Sequence, residues 1–549
     1  MVILKKSGTG TLIYKFMKRR RFIQGLITGA MAPALLNSCK ERKKIKGSIV
    51  GASAHIGHLV RDKKFETASI KEKKKIVIVG GGVSGLSAAR YLVQQGITDL
   101  LVLDLEKNMG GNAAAGKNNL SAYPLGAHYI PTPNNDLTEY LSFLKELDVI
   151  KNFDENGLPV YNEYHLCFDS QERLFINGQW QEGLIPHHAV SSAELKIIEK
   201  FLQQMDQFRE AKGTDGKYAF AIPVDQSSKD PLFVQLDSIS MKTWMEQQHF
   251  TSEYLHWYVN YCCRDDFGTT HQQISAWAGI HYFAGRKGKG SNAEHGDVLT
   301  WPEGNHFLIE GLKRNCQPML RNNELVVNIK TEKDHVVITC LNTGNHQLYS
   351  IEAEHCIIAT PQFVAARLLK DEERLKTVNQ YFNYVPWMVA NIRTRIPEEK
   401  KGTETSWDNV IYQSDSLGYV DASHQLLLQK PAEKNLTYYL PLTKGSCSNE
   451  RKAAQTKTHE EWAELVLADL EKVHPDIREK TEEININLWG HAMVQPLPGI
   501  IHGSIRKQLS ASIQNRIHFA HTDLSGVSIF EEGFYQGIQA AKKTIEQLS

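Results

Sequence analysis

Residues 71–112 read KEKKKIVIVGGGVSGLSAARYLVQQGITDLLVLDLEKNMGGN, and the order of elements in this stretch decides the fold. Ile76 to Val79 is a short β-branched run, the pattern of a strand buried on both faces of a parallel sheet. Gly80-x-Gly82-Val83-Ser84-Gly85 follows, and then Leu86, Ala89, Leu92 and Val93 repeat at helical spacing. Three small residues so placed let the backbone turn tightly, approach a pyrophosphate and pack helix on strand, with the phosphates at the positive end of the helix dipole. A second apolar run, Leu100 to Leu103, ends at Asp104, 19 positions beyond Gly85. A carboxylate there accepts hydrogen bonds from an adenosine ribose. Strand, glycines, helix and acid together predict a dinucleotide site; the motif alone does not separate FAD from NAD.

Six residues past Asp104, Met109-Gly110-Gly111-Asn112 makes a second glycine turn. It resembles the Gly-Gly segment of the flavin amine oxidase superfamily, which lies against the FAD pyrophosphate, with Asn112 where the family usually has Arg. Leu125-Gly126-Ala127-His128-Tyr129 resembles the family segment that passes close to the isoalloxazine ring. Trp301-Pro-Glu-Gly-Asn305 is similar to the family's Pro-x-Gly-Gly, Val326 falls at its backbone contact to adenine, and Cys356-Ile-Ile-Ala-Thr-Pro361 matches its return strand. Near the end, Phe519-Ala-His-Thr-Asp523 and Gly533-Phe-Tyr-Gln-Gly537 resemble the C-terminal flavin motif. The resemblance spans residues 76 to 549 and implies bound FAD. It implies that Asp523 meets the ribityl or pyrophosphate region and that a helix starting near Gly537 aims its dipole at the flavin. It also implies that Phe534 and Tyr535 face the ring.

Between these segments, residues 131–299 read as mainly helical and aromatic-rich. Cys263-Arg-Asp265-Asp266-Phe-Gly268 and Ser275-Ala-Trp-Ala-Gly-Ile-His281-Tyr-Phe-Ala284 resemble the spermidine dehydrogenase-like branch of the superfamily. Asp265 and Asp266 either hold a cationic substrate or serve as a helix cap or solvated pair. His281 is a catalytic candidate through the resemblance; by itself it reads as a hydrogen-bonded structural histidine. Many family members carry a lysine on the strand matched to 388–393, where this chain has Ala390.

The chain's 549 residues carry a net charge of +1, which hides an asymmetry. Residues 1–75 hold 19 Lys and Arg against 4 Asp and Glu, and the rest holds 44 against 58. A basic leader on an acidic body argues for targeting and against nucleic-acid binding. Met17-Lys-Arg19-Arg20-Arg-Phe-Ile, an apolar run from Gly25 to Leu36 and Leu36-Asn-Ser-Cys39 describe a secretory signal too short to span a bilayer. The paired arginines resemble a twin-arginine signal, which exports folded cargo. Leu36 to Cys39 resembles a lipobox, whose cysteine would carry the lipid. Met17 is the natural first residue of such a signal. The eight cysteines are scattered without a CxxC, so no zinc site or disulfide framework is signalled.

The expected fold class is α/β: a Rossmann-type FAD-binding domain built from discontinuous segments (71–130, 300–365 and 486–549) with a second, α+β substrate domain (131–299 and 366–485). Residues 1–39 are expected to be the export signal and 40–70 a tether. The expected chemistry is oxidation of an amine, polyamines included, by hydride transfer to flavin N5, without a metal. Expected partners are a small-molecule amine, an electron acceptor (oxygen or an envelope carrier) and the twin-arginine machinery, with membrane contact only through a lipid on Cys39. The expected location is the periplasm or cell envelope. A desaturase-like or porphyrinogen-oxidising flavoenzyme is the alternative chemistry, and an FAD-binding lipoprotein without turnover the alternative of another class.

Overall fold

Strand Ile70–Val79 sits in the middle of a sheet, paired in parallel with Leu100–Leu103 on one side and Leu348–Ile358 on the other. Its last four residues are fully surrounded, as the β-branched run requires. The computed structural model describes residues 44–66, 68–427 and 432–548. The export signal read at residues 1–39, with Arg19, Arg20 and Cys39, lies outside the described residues. Leu320–Arg321 and Ile517–Phe519 extend the parallel core at its two ends. An antiparallel pair, Glu324–Thr331 and Val336–Asn342, is stitched onto Leu348–Ile358. Helices Val83–Gln94 and Phe530–Leu548 cover one face, where Ile76, Ile78, Leu86 and Leu92 meet Phe534 and Ile538. The three stretches expected to assemble the nucleotide domain thus meet in one sheet.

The second sheet has eight strands, with Tyr384–Arg395 between Thr481–Val494 and Glu433–Pro441. Side chains alternate along the middle of Tyr384–Arg395, between register shifts near its two ends. Met388, Ala390 and Ile392 pack under helix His459–Leu470, whose Thr458 and Glu461 form a reciprocal capping box. Val385, Trp387 and Val389 face the other way, towards helices Glu253–Phe267 and Ala276–Ala284. This second face roofs the site.

Three expectations about domain limits change, and one segment gains strands. Residues 40–70 are not a free tether: Ile49–Gly51 pairs in parallel with Ile486 to Leu488, and Ser53 donates through N and Oγ to Glu106 at 2.7 and 2.9 Å. Helix Thr138–Glu146 packs on the nucleotide core through Tyr140, Phe143 and Leu144, although sequence placed it in the substrate domain. Residues 131–299 include two β-hairpins besides their helices. Strand Thr481–Val494 crosses the expected limit at 486 and stays in the eight-stranded sheet to its end. Among the described residues seven cysteines are free thiols, and no helix is long and apolar enough to cross a membrane.

Candidate active site

The glycine turn is shaped by contacts as much as by flexibility. Gly80 has a φ of +109°, and a Cβ on Gly85 would lie 1.8 Å from the Gly80 carbonyl oxygen. Gly82 faces Gly111 across a narrow gap: a Cβ on either would come within 4.0 or 3.5 Å of the other's Cα. Any larger side chain fills this cradle, which fits a pyrophosphate passing over helix Val83–Gln94. Val83 and Ser84 open that helix and pack against Gly533 of the C-terminal helix. Asp104 accepts from the backbone N–H groups of Gly81 (2.6 Å) and Glu106 (2.7 Å), and burial raises its carboxyl to about 6. Each oxygen keeps a lone pair for a ribose hydroxyl. Val326 is buried in the antiparallel pair beside a register shift at Asn328. Gly110 and Gly111 both take positive φ, and Asn112 donates to the Ala492 carbonyl, pinning the turn to the eight-stranded sheet.

Asp523 is buried beneath the return strand. It accepts from Gln362 N at 2.7 Å and from the Tyr384 hydroxyl at 2.6 Å, with His521 Nδ1 2.9 Å away. Burial pushes its carboxyl up, but the His521 imidazole and these donors outweigh it and hold it below the usual range.

The turn at 124–127 is tied down by the roof. Asn391 donates to the Pro124 carbonyl (2.9 Å), Trp489 Nε1 to Leu125 (2.6 Å) and Tyr439 Oη to Gly126 (3.0 Å). Beneath lies a cavity of about 150 Å³ bounded by Gly126, Ala127, Trp387, Val389, Trp489 and Phe530. Its wall includes Asn305, whose Nδ2 donates to Tyr129 O while its buried Oδ1 has no partner.

A second cavity of about 250 Å³ adjoins the first, and His128, Tyr129, Asp265, Arg286 and Tyr439 line both. Its wall also carries Glu172, Asp408 and Trp407. The two aspartates of the 263–268 segment part company. Asp266 is neutralised by Arg286, whose Nη2 reaches both carboxylate oxygens at 2.7 and 2.8 Å. Asp265 accepts only from the Tyr129 hydroxyl, at 3.2 Å. Burial, then the charge of Asp266, lifts it to about 7. Burial likewise raises Asp408, helped by Asp265 and Glu172, and burial raises Glu172. His128 stacks on Tyr439 with centroids 4.4 Å apart, and burial lowers it to about 4, so it is a neutral ring at physiological pH. Carboxylates walled by aromatic rings make a site for a cation.

Four sequence assignments are corrected. His281 lies outside both cavities: its Nε2 meets the Ala221 carbonyl at 2.9 Å, its ring stacks on Trp277, and burial lowers it to about 3. The C-terminal helix begins at Phe530, not near Gly537. Gly537 is instead a helix-crossing contact, where a Cβ would lie 2.2 Å from Ser84 O. One turn into the helix, Phe534 points into the core against Tyr140 and Phe143, and Tyr535 lines an outer groove. Phe530 and Glu531 take the place beside the cavity that 534 and 535 were expected to hold. Ala390 is on the far face of its strand, so Trp387 and Val389 stand where the family match put it. Sequence reading also missed Glu172, Asp408, Tyr439 and Arg286, which share no motif. The Ser528-x-x-Glu531 spacing was a usable signal for the true helix start.

The NAD(P)-binding Rossmann-like domain family matches residues 78–147. Amine oxidase [flavin-containing] B of Sus scrofa is 24% identical over 341 residues, covering 60% of this chain and 56% of that protein. The chain thus spans little more than half the length of that relative. Among solved structures, a triple mutant of putrescine oxidase superposes with a TM-score of 0.64 at 15% identity, covering 87% of this chain and 99% of that one. Cyclohexylamine oxidase from Brevibacterium oxydans IH-35A gives 0.61 at 16% identity, with 86% and 99% covered. The chain has the mixed α/β, two-domain fold of these amine oxidase structures, with a Rossmann-like nucleotide domain.

Proposed function

We propose that this protein binds FAD and oxidises a cationic amine. The observation that carries the reading is the carboxylate group Asp265, Asp408 and Glu172, which meets the glycine-bounded cavity at Asp265. The likeness to amine oxidases, whose names mention flavin and putrescine, supports it. Bound FAD supplies the hydride acceptor for the carbon next to the amine nitrogen, and the imine so formed hydrolyses in water. The chain does the rest. Gly82 and Gly110–Gly111 would leave room for the pyrophosphate, Asp104 would hold the ribose, and Asp523 would meet the ribityl or pyrophosphate region. Asn391, Trp489 and Tyr439 fix the peptides at 124–127 against the ring's place. Asp265 orients the nitrogen, and His128, Tyr129, Trp407 and Tyr439 exclude water.

Beyond burial and the charge of Asp266, Glu172 raises Asp265; beyond burial, Asp265 and Glu172 raise Asp408, so a second positive charge on the substrate relieves this repulsion. A diamine or polyamine fits this better than a monoamine, and an apolar desaturase or porphyrinogen-type substrate fits it poorly. Heat-released cofactor should be FAD. In an anaerobic screen, 1,4-diaminobutane or longer polyamines should bleach the flavin faster than neutral alcohols or carotenoid-like compounds. Equal or faster bleaching by an apolar compound would overturn the assignment.

Export of the loaded protein through the twin-arginine route belongs to the same proposal. Cofactor contacts come from residues 80–112, 326 and 523, so the site exists only after folding. Seven free thiols among the described residues support folding in a reducing compartment. Replacing Arg19 and Arg20 by Lys keeps charge but removes the guanidinium forks. Flavin-loaded precursor should then remain in the cytoplasm, while Cys39→Ala still exports but takes no lipid label. Normal fractionation of the Lys-Lys variant would refute this route.

A further inference from the structure

Glu531 stands in the first turn of helix Phe530–Leu548 and is 4% exposed. It borders the 150 Å³ cavity beside Phe530. It also borders a groove of about 130 Å³ on the other side of the helix start, and it alone among the described residues lines both. The groove reaches the surface, because its Glu139 and Lys542 form an ion pair at 3.1 Å with side chains 52% and 38% exposed. Neighbouring Glu532 is fixed, accepting from Val224 N at 2.6 Å. Among the described residues, Glu531 takes a hydrogen bond only from its own backbone N–H.

We propose that Glu531 is the proton port of the reaction cavity, taking the ammonium proton of a bound amine and passing it to water in the outer groove. This rests on the amine reading above. An ammonium nitrogen has no lone pair to assist loss of hydride, so a proton must leave first. The ammonium N–H bond breaks with its electron pair staying on nitrogen, an O–H bond forms on the Glu531 carboxylate, and the products are a neutral amine and a carboxylic acid. The acid then gives the proton to groove water and returns to carboxylate. No electrons change hands.

The surroundings suit this use. Burial, the largest influence, lifts Glu531 to about 7, where it both accepts and releases a proton near neutrality. From the cavity side it faces Arg286, which favours its charge, and Asp266, which opposes it, and these two are already paired with each other. From helix Thr138–Glu146 it faces Tyr140, whose buried hydroxyl has no partner and feels the Glu531 charge. Asp136 and Glu139 line the groove on its way to water, where Glu139 is paired with Lys542. Asp265 is a poorer port: it points to the shared wall, and each proton it took would release the cation it anchors.

The test compares FAD-loaded wild type with Glu531→Gln and Glu531→Asp, reading anaerobic flavin reduction by 1,4-diaminobutane against pH. Wild type should show a limb rising through about pH 7. In the Gln variant the limb should vanish, with reduction slowed about a hundredfold near neutrality. The loss should fade towards about pH 10, where the amine sheds its own proton. The Asp variant should keep the limb. Infrared spectra of the cofactor-free protein supply a readout independent of turnover: a protonated-carboxyl band titrating near pH 7 that loses its Glu531 component in the Gln variant while the Asp265 component stays. An unchanged pH profile in Glu531→Gln, with wild type active, overturns the proton-port role alone. A wild type that no amine reduces, with the band present, overturns the amine reading and this role with it.

Discussion

Asp265→Asn separates what the acidic cavity costs from what it does. The substitution keeps the side chain's size and an acceptor for the Tyr129 hydroxyl, but removes the charge. The wild-type carboxyl rises from 3.8 to about 7 on folding. The folded chain therefore holds this proton more tightly than the unfolded one. The associated stability is complete below about pH 4 and is lost as pH climbs to about 7, roughly 4 kcal/mol in all. Asparagine has no proton to lose. The two proteins should match in unfolding free energy at about pH 4. The variant should be the more stable by up to roughly 4 kcal/mol at about pH 8. Adding 1,4-diaminobutane at about 100 times its dissociation constant should stabilise wild type by about 2.7 kcal/mol and the variant far less, closing much of the gap. Urea unfolding of FAD-loaded protein, followed by tryptophan fluorescence across this pH range, measures both. A gap that does not widen with pH refutes the burial argument. A gap untouched by the diamine refutes Asp265 as the cation anchor.

Three further outcomes follow from contacts at other positions. Gly82→Val fills the cradle opposite Gly111; the purified protein should be colourless yet melt with the cofactor-free wild type, and a yellow preparation would argue against this phosphate path. Gly537→Ala sets a methyl 2.2 Å from Ser84 O and should destabilise by about 1–3 kcal/mol through forced separation of the two helices; an unchanged urea midpoint would mean the crossing is looser than described. His281→Ala should cost about 2–4 kcal/mol, from the cavity and the orphaned Ala221 carbonyl. Because His281 is held near 3 and stays neutral, the pH profile of flavin reduction should not move, and a lost limb would restore it as a catalytic group.

The glycine turn, its flanking strand and helix, and the acid at 104 were readable from sequence because their geometry is local. A tight turn, a strand buried on both faces and a helix start each follow from residues within a few positions. The return strand at 356–361 and the acid at 523 were readable by motif; the return strand pairs in parallel with the first strand, and the strand before Asp523 pairs in parallel with the return strand. Orientation was not readable to the same degree. A one-residue slip on a strand swaps faces, which is how Ala390 was placed where Trp387 and Val389 stand. A seven-residue error in a helix start went with ring contacts expected at 534–535, where the structure puts 530–531 beside the cavity. Only the tertiary structure could tell Asp265 from Asp266, since the difference is a guanidinium at Arg286, 20 residues on, that reaches one and not the other. Only it could gather Glu172, Asp265 and Asp408, which come from the hairpin that ends the eight-stranded sheet, a helix and the interior strand next to that hairpin. No spacing rule links segments so far apart. Glu172 and Asp408 meet as register partners on neighbouring strands, and burial of the apolar faces of that sheet and of helix Glu253–Phe267 brings Asp265 to the same cavity.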